Sequence, residues 1–212
     1  MANKIALARL LGHSFGDGNI HRTKHYFIYT NSNKRLQEKV KRLVKKEFKD
    51  VKICERHSGM GISQLQFSAK VGRKLEELGG IRGSKVRQSF QVPQWIKHGK
   101  EEVKANFLAA IFDDEGYFRD SKGCKQIVLK FSKTKRLEDS LVNFLKEISQ
   151  LLNELGIKVS DIKKDQEKSN STGEIIVSKR IWITGKTNFI RFKEKIPISH
   201  PIKKRKLLRM CK

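Results

Sequence analysis

Residues 105–118, ANFLAAIFDDEGYF, repeat the plan of residues 7–20, LARLLGHSFGDGNI. Each stretch is an apolar run of helical character that ends in an acid followed by glycine. The two acids, Asp17 and Glu115, stand 98 positions apart in a chain of 212 residues. A motif recurring at half the chain length points to one unit built twice.

The flanks repeat as well. After the first motif, Tyr26–Thr30 is aromatic or β-branched and reads as part of a strand over 25–30. Leu36, Val40, Leu43, Val44 and Phe48 then recur at helical spacing. After the second motif, Ile127, Val128, Leu129 and Phe131 give a strand. Leu137, Leu141, Phe144, Leu145, Ile148, Leu151 and Leu152 give a helix ending near Gly156. Further strand pairs are expected at 51–54 and 63–67 around a Gly59-Met60-Gly61 turn, and at 159–163 and 175–183 around a polar loop, DQEKSNSTG, at 165–173. Short helices at 71–78 and 186–195 close the halves. The expectation is an α+β protein of two pseudo-symmetric αββαββα repeats, 1–98 and 99–212, packed through the two motif helices.

Lys and Arg total 47 against 22 Asp and Glu, a net charge of +25. A small domain usually carries ~2–8, and so large an excess repels itself unless a polyanion neutralises it. The basic residues form no tail: residues 1–100 hold 22 against 7 acids, and 101–212 hold 25 against 15. Nucleic acid is therefore the expected partner. No uninterrupted apolar stretch reaches transmembrane length, so no membrane partner is expected. Cys54, Cys124 and Cys211 are widely spaced, without a CxxC pair, which argues against structural zinc and a disulfide framework. The start, MANKIALARLLG, is unlike a signal peptide. An intracellular location is expected, in cytoplasm or organelle.

The motif places a carboxylate at a helix C-terminus, where the helix dipole disfavours it. A bound cation reverses that penalty. Gly12 and Gly16 lie on one helix face and permit close approach of a second helix. If the two helices pack in parallel, Asp17 and Glu115 meet under a basic surface. Two carboxylates beside a phosphate backbone suit Mg²⁺, with Mn²⁺ or Ca²⁺ able to occupy the same site. A divalent ion there can activate water and stabilise the leaving 3′ oxygen.

These residues resemble the LAGLIDADG homing endonucleases in their single-chain, two-motif form. LLGHSFGDG, residues 10–18, looks like the first motif and LAAIFDDEG, residues 108–116, like the second. The resemblance implies that the motif helices form the interface between halves, each half carrying a saddle-shaped antiparallel sheet for the DNA major groove. It implies a monomer that makes a Mg²⁺-dependent double-strand break in a long, weakly palindromic site. The last acid of each motif, Asp17 and Glu115, would hold the metals, helped by carbonyls of Gly16 and Asp114. Asp113 matches an acid that serves helix packing and capping, where the first copy has Phe15. Polar residues after the first long strand would surround the metals: Asn31 and Ser32, then Ser132 and Lys133, with Lys133 the catalytic candidate. Lys85 or Lys203 could complete the set. Asp113 and Lys133 would give the Glu115 side more helpers than Phe15 and Ser32 give Asp17, an asymmetry that leaves room for strand preference. His13 reads as a packing residue.

Strand alternation supplies candidates for base and backbone contact. They are Lys24, Tyr26 and either His25 or Tyr29, then Gln64 and Gln66, Lys125 or Gln126, Lys130, Lys179 and Arg180. The KKRK run at 203–206 reads as a phosphate contact or a solvated tail. Two other readings stay open: a maturase of the same fold binding intron RNA, and a non-catalytic DNA-binding regulator. Origin in an intron, an intein or a free-standing gene is equally open. No Walker or dinucleotide motif suggests a small-molecule enzyme.

Overall fold

The computed structural model describes residues 3–57, 63–121 and 123–212; the Gly59-Met60-Gly61 turn lies outside the described residues. The chain runs α1 (Lys4–Phe15), β1 (Gly18–Ile20), β2 (Phe27–Asn31), α2 (Lys34–Glu47), β3 (Ile53–His57), β4 (Ser63–Phe67) and α3 (Ala69–Glu77). A crossing strap follows, with a 3-10 turn at Lys85–Arg87 and a short α4 (Gln94–Lys97). The order then repeats as α5 (Glu101–Asp114), β5 (Gly116–Ser121), β6 (Cys124–Thr134), α6 (Glu138–Glu154), β7 (Lys163–Ser169), β8 (Ile175–Ile183) and α7 (Lys186–Lys195), with α8 (Pro201–Met210) last. The strands make two antiparallel four-stranded sheets of one topology, β1-β2-β4-β3 and β5-β6-β8-β7. This is the two-repeat αββαββα architecture that the doubled motif predicts.

Helices α1 and α5 are buried nearly all round and pack against each other. Helices that are apolar on every side belong in the interior, and these two are the seam between the repeats. α2 and α6 have one apolar stripe each and lie on one face of their sheets. Leu36, Val40 and Val44 turn inward from the first, and Leu141, Phe144, Leu145 and Ile148 from the second. Among the described residues, no helix is long and apolar enough to cross a membrane.

Three elements differ from the sequence reading. The strand expected at 159–163 lies at Lys163–Ser169, so most of the supposed 165–173 loop is extended. β7 is an edge strand, paired among the described residues to β8 alone, and needs no apolar face. Its turn is confined to Asn170–Gly173, where Asn170 Oδ1 accepts from the amides of Thr172 and Glu174 at 3.0 Å each and Gly173 has φ +78°. The KKRK run is neither tail nor loop but the first part of α8, opened by Pro201 and anchored by buried Leu207 and Met210. β2 begins at Phe27, because His25 adopts φ +55° and breaks the extended run before it.

Candidate functional site

The seam is closest near the C-terminal ends of α1 and α5. A Cβ on Gly12 would come within 2.7 Å of the Ala110 Cβ, and one on Gly16 within 2.5 Å of the Asp114 Cβ. Contacts that short exclude any side chain, so glycine is required for this approach. The acids that follow are brought into one electrostatic neighbourhood. Burial, then the Asp114 charge, raise the Asp17 carboxyl to about 6. Burial, then the Asp17 charge, raise Glu115 to about 7. Asp17 opens onto a cleft shared with Asn31, Ser32, Asp113, Asp114, His200 and Lys203.

The two carboxylates are held unequally. Asn31 Nδ2 donates to Asp17 Oδ2 at 2.6 Å. Among the described residues, the Glu115 carboxylate has no hydrogen-bond donor. The strand registers explain the difference. Gly18 pairs with Tyr29 and Gly116 with Leu129, so the counterpart of Asn31 is Phe131, a buried core residue. Asp17, and not Glu115, is therefore the better supplied acid, the reverse of what the sequence implies.

Asp114 contributes its side chain, which the sequence reading passed over in favour of its carbonyl. Its carboxylate crosses the seam and accepts from Tyr29 Oη at 2.7 Å and the Asp17 amide at 3.2 Å. His13 Nδ1 lies 3.0 Å from Asp114 Oδ2, and its buried ring meets Tyr29 edge-on. His13 thus sits where a packing residue would. Asp113 is also wholly buried. It pairs with Arg9 and accepts from the amides of Ser199 and His200 at 2.9 and 2.8 Å. That tie brings α8 and His200 to the cleft. Consecutive acids in DDEG were the available signal for these roles.

The lysines follow a pattern of their own. Lys85 Nζ donates to the Gly16 carbonyl and to Gly18 O at 2.8 Å. Lys203 Nζ donates to Phe112, Asp113 and Asp114 carbonyls at 3.1, 2.5 and 3.0 Å. Each caps one motif helix, satisfying carbonyls that have no partner within the helix. Burial lowers both ammoniums, opposed by the nearby carboxylates. Lys133 is elsewhere. It continues the inward-facing series Ile127, Leu129 and Phe131 of β6 and is fully buried. Its polar contacts are the carbonyls of Lys85 and Gln88, with none to Asp17 or Glu115.

The donor set suits a divalent cation. Two part-buried carboxylates have pKa values raised by desolvation and by like charge, and Glu115 offers an oxygen engaged by no donor. Asp17 and Glu115 are the residues able to hold it. The Gly16 and Asp114 carbonyls already accept from lysine.

On the sheet face opposite the helices, alternation presents Gln64, Gln66, Gln126, Lys130 and Arg180. Lys130 and Arg180 are cross-strand partners and both pair with Asp165, at 3.3 and 3.0 Å. Ser132 is on this face too, 2.7 Å from Ser178. Lys24 is exposed, and Tyr26 half-buried, where the chain enters β2. Two candidates are corrected. Tyr29 is fully buried, because β2 turns Phe27 and Tyr29 inward together. Lys179 lies opposite Phe131 on the helix side, where it pairs with Glu138 of α6 at 2.7 Å. Lys179 and Arg180, being adjacent in a strand, cannot share a face.

An α+β protein of two repeats, with one acid from each at a shared helix seam, is the class this fold and site define. Residues 102–197 match the family model of a LAGLIDADG-like domain. The match falls on the second repeat, and the first repeat has the same sheet topology and its own acid-glycine after the motif helix. The chain is similar in fold to the structure of I-DmoI in complex with DNA and Ca (17% identity, TM-score 0.58, covering 91% of this chain and 89% of that one). It is similarly close to I-DmoI in complex with DNA and Mn (18%, 0.58, 92% and 97%). Among curated proteins it is 28% identical over 216 residues to the tRNA-splicing ligase RtcB of Pyrococcus furiosus, covering 94% of this chain and 22% of the ligase. It is 26% identical over 206 residues to the replication factor C small subunit of Methanocaldococcus jannaschii, covering 97% of this chain and 10% of that subunit. The chain thus spans about a fifth or less of these relatives.

Proposed function

We propose that this protein is a site-specific endonuclease that makes a Mg²⁺-dependent double-strand break in a long, weakly palindromic DNA site. The observation that carries the reading is the paired acids, Asp17 and Glu115, one from each repeat, at the seam where two sheets with solvent-facing Gln, Lys and Arg adjoin. One sheet per half-site gives base contacts in the major groove, while the net charge supplies phosphate affinity.

Asp17 and Glu115 would hold the cation; burial above all, and then like charge from Asp114 on Asp17 and from Asp17 on Glu115, raises their pKa values, and a bound cation would offset both. Mg²⁺, when bound, makes a coordinated water more acidic and stabilises charge on the leaving 3′ oxygen. Asn31 fixes one Asp17 oxygen and so orients the other. Lys85 and Lys203 lie at the helix ends beside the acids and supply positive charge for the scissile phosphates. Lys130 and Arg180 must exchange Asp165 for DNA, which ties part of the binding energy to breaking an internal pair.

The relatives support an origin inside other proteins. A ligase and a replication subunit share this segment over a minor part of their lengths, so it is not what gives either its name. A module carried within such polypeptides fits an intein better than an intron. Their printed activities are not proposed for this chain.

The test is selection of cleaved sites from a random duplex library with Mg²⁺, acting at intracellular pH on the monomeric protein. Recovery of one long site with approximate two-fold symmetry supports the reading. Binding without cutting would favour the regulator, and preference for structured RNA the maturase.

A further inference from the structure

We infer that Lys133 is a positioning residue, a clasp from the second repeat that fixes the crossing strap and through it holds Lys85 at the end of α1. The inference rests on the endonuclease reading for its consequence in cutting, but its geometry stands apart from that reading.

Lys133 is the least expected charge in the protein. It is fully buried, and burial alone lowers its ammonium to about 8, with no carboxylate among the causes. A lone buried cation is unfavourable, and an apolar residue of similar volume would serve packing better. The groups that its ammonium meets, two carbonyls and a ring, all belong to the strap. The ammonium donates to Lys85 O at 2.9 Å and to Gln88 O, which bracket the 3-10 turn, and it lies 3.6 Å from the centroid of the Phe90 ring. Carbonyl dipoles and a ring face take the place of a counter-ion.

The strap is gripped again on both sides of this point. Phe90 packs edge-on against Phe15 of α1 and Phe144 of α6. Arg87 Nε donates to Glu174 at 2.9 Å, across to the β7–β8 hairpin. The residue so framed is Lys85, whose side chain runs the opposite way to the Gly16 and Gly18 carbonyls next to Asp17. A second-repeat lysine thereby sets the place of a first-repeat one. A displacement of about 1 Å at a reacting site can cost up to ~10²-fold in rate, so the clasp has leverage without touching DNA.

The experiment compares Lys133→Met, Lys85→Met and the double variant by cleavage rate and by acetylation of individual lysines read by mass spectrometry. Lys133→Met is expected to slow cutting about 10-fold and to speed acetylation of Lys85 about 5-fold or more as the strap loosens. Adding it to Lys85→Met should cost nothing further, because both act through one group. Lys133→Arg should restore part of the protection. Wild-type cutting by Lys133→Met, unchanged labelling of Lys85, or multiplicative losses in the double variant would each overturn the clasp. Should Lys133→Met not fold, Lys133→Gln, shorter and uncharged but still polar, takes its place; it should raise Lys85 labelling, and unchanged labelling overturns the inference. If the wild type cuts no DNA, the endonuclease reading fails while the labelling still decides the clasp.

Discussion

The two repeats share a sheet topology, yet they complete the common site by different means. In the first, Asp17 is held by Asn31, the motif helix carries Phe15, and the strap beside it is secured by aromatic packing. In the second, Glu115 has no donor among the described residues, the motif helix carries Asp113, and the segment leading to α8 is secured by the Arg9–Asp113 pair and two backbone amides. One apolar and one ionic solution perform the same task of bringing a lysine to a helix end. Backbone symmetry therefore does not imply symmetry of chemistry.

The sharpest challenge to the shared site is removal of either acid. Asp17→Asn and Glu115→Gln should each lower cutting on the order of 10³-fold while leaving affinity for the target in Ca²⁺ nearly unchanged. Undiminished cleavage by one of them would assign the chemistry to the other repeat alone.

Next comes the contrast in fastening. Arg9→Met leaves Asp113 buried without its cation and should cost ~3–5 kcal/mol in denaturant unfolding. Arg9→Met with Asp113→Leu should recover much of that loss by making the second repeat apolar, as Phe15 makes the first. No recovery would mean that the amide bonds to Ser199 and His200, rather than the ion pair, secure α8.

Asn31→Ala should slow cutting about 10-fold, with nicked DNA accumulating because only one acid is affected. Phe131→Leu, at the matching register position, should leave the balance between strands unchanged. Equal slowing of both strands by Asn31→Ala would show that the two acids act as a unit.

The smallest effect is in stability against pH. Asp17 and Glu115 bind protons more tightly folded, at about 6 and 7, than in the unfolded chain. The unfolded state therefore loses its protons first as pH rises, and the metal-free protein loses stability between about pH 4 and 7. Its melting temperature should fall by a few degrees between pH 5 and 7.5, and less in Glu115→Gln. Mg²⁺ should restore more at pH 7.5 than at pH 5, and a reversed trend would contradict the repulsion between the acids.

Much of this was legible in the chain. The helical spacing of Leu36, Val40 and Val44, the alternation of Gln64 and Gln66 with Leu65 and Phe67, and the doubled acid-glycine all led to the right elements. The polar edge strand β7 was not legible, because it is specified by its partner β8 and not by a face of its own. α8 was hidden for a related reason, since four consecutive basic residues mask Leu207 and Met210. Lys133 was readable but misread: counting from Ile127 through Leu129 and Phe131 turns it inward. Asn31 was legible as a neighbour of the acids, but its bond to Asp17 was not, because that depends on how a strand end and a helix end meet.

The close contact at Gly12 and Gly16 also bears on how such proteins can be recombined. A half taken from another chain would arrive with its own seam residues, and a single methyl at either glycine would meet Ala110, Asp114 or the backbone at Phe107. Chimaeras should be tolerant in their sheets and strict along this one helix pair. The halves are exchangeable only when α1 and α5 are inherited together.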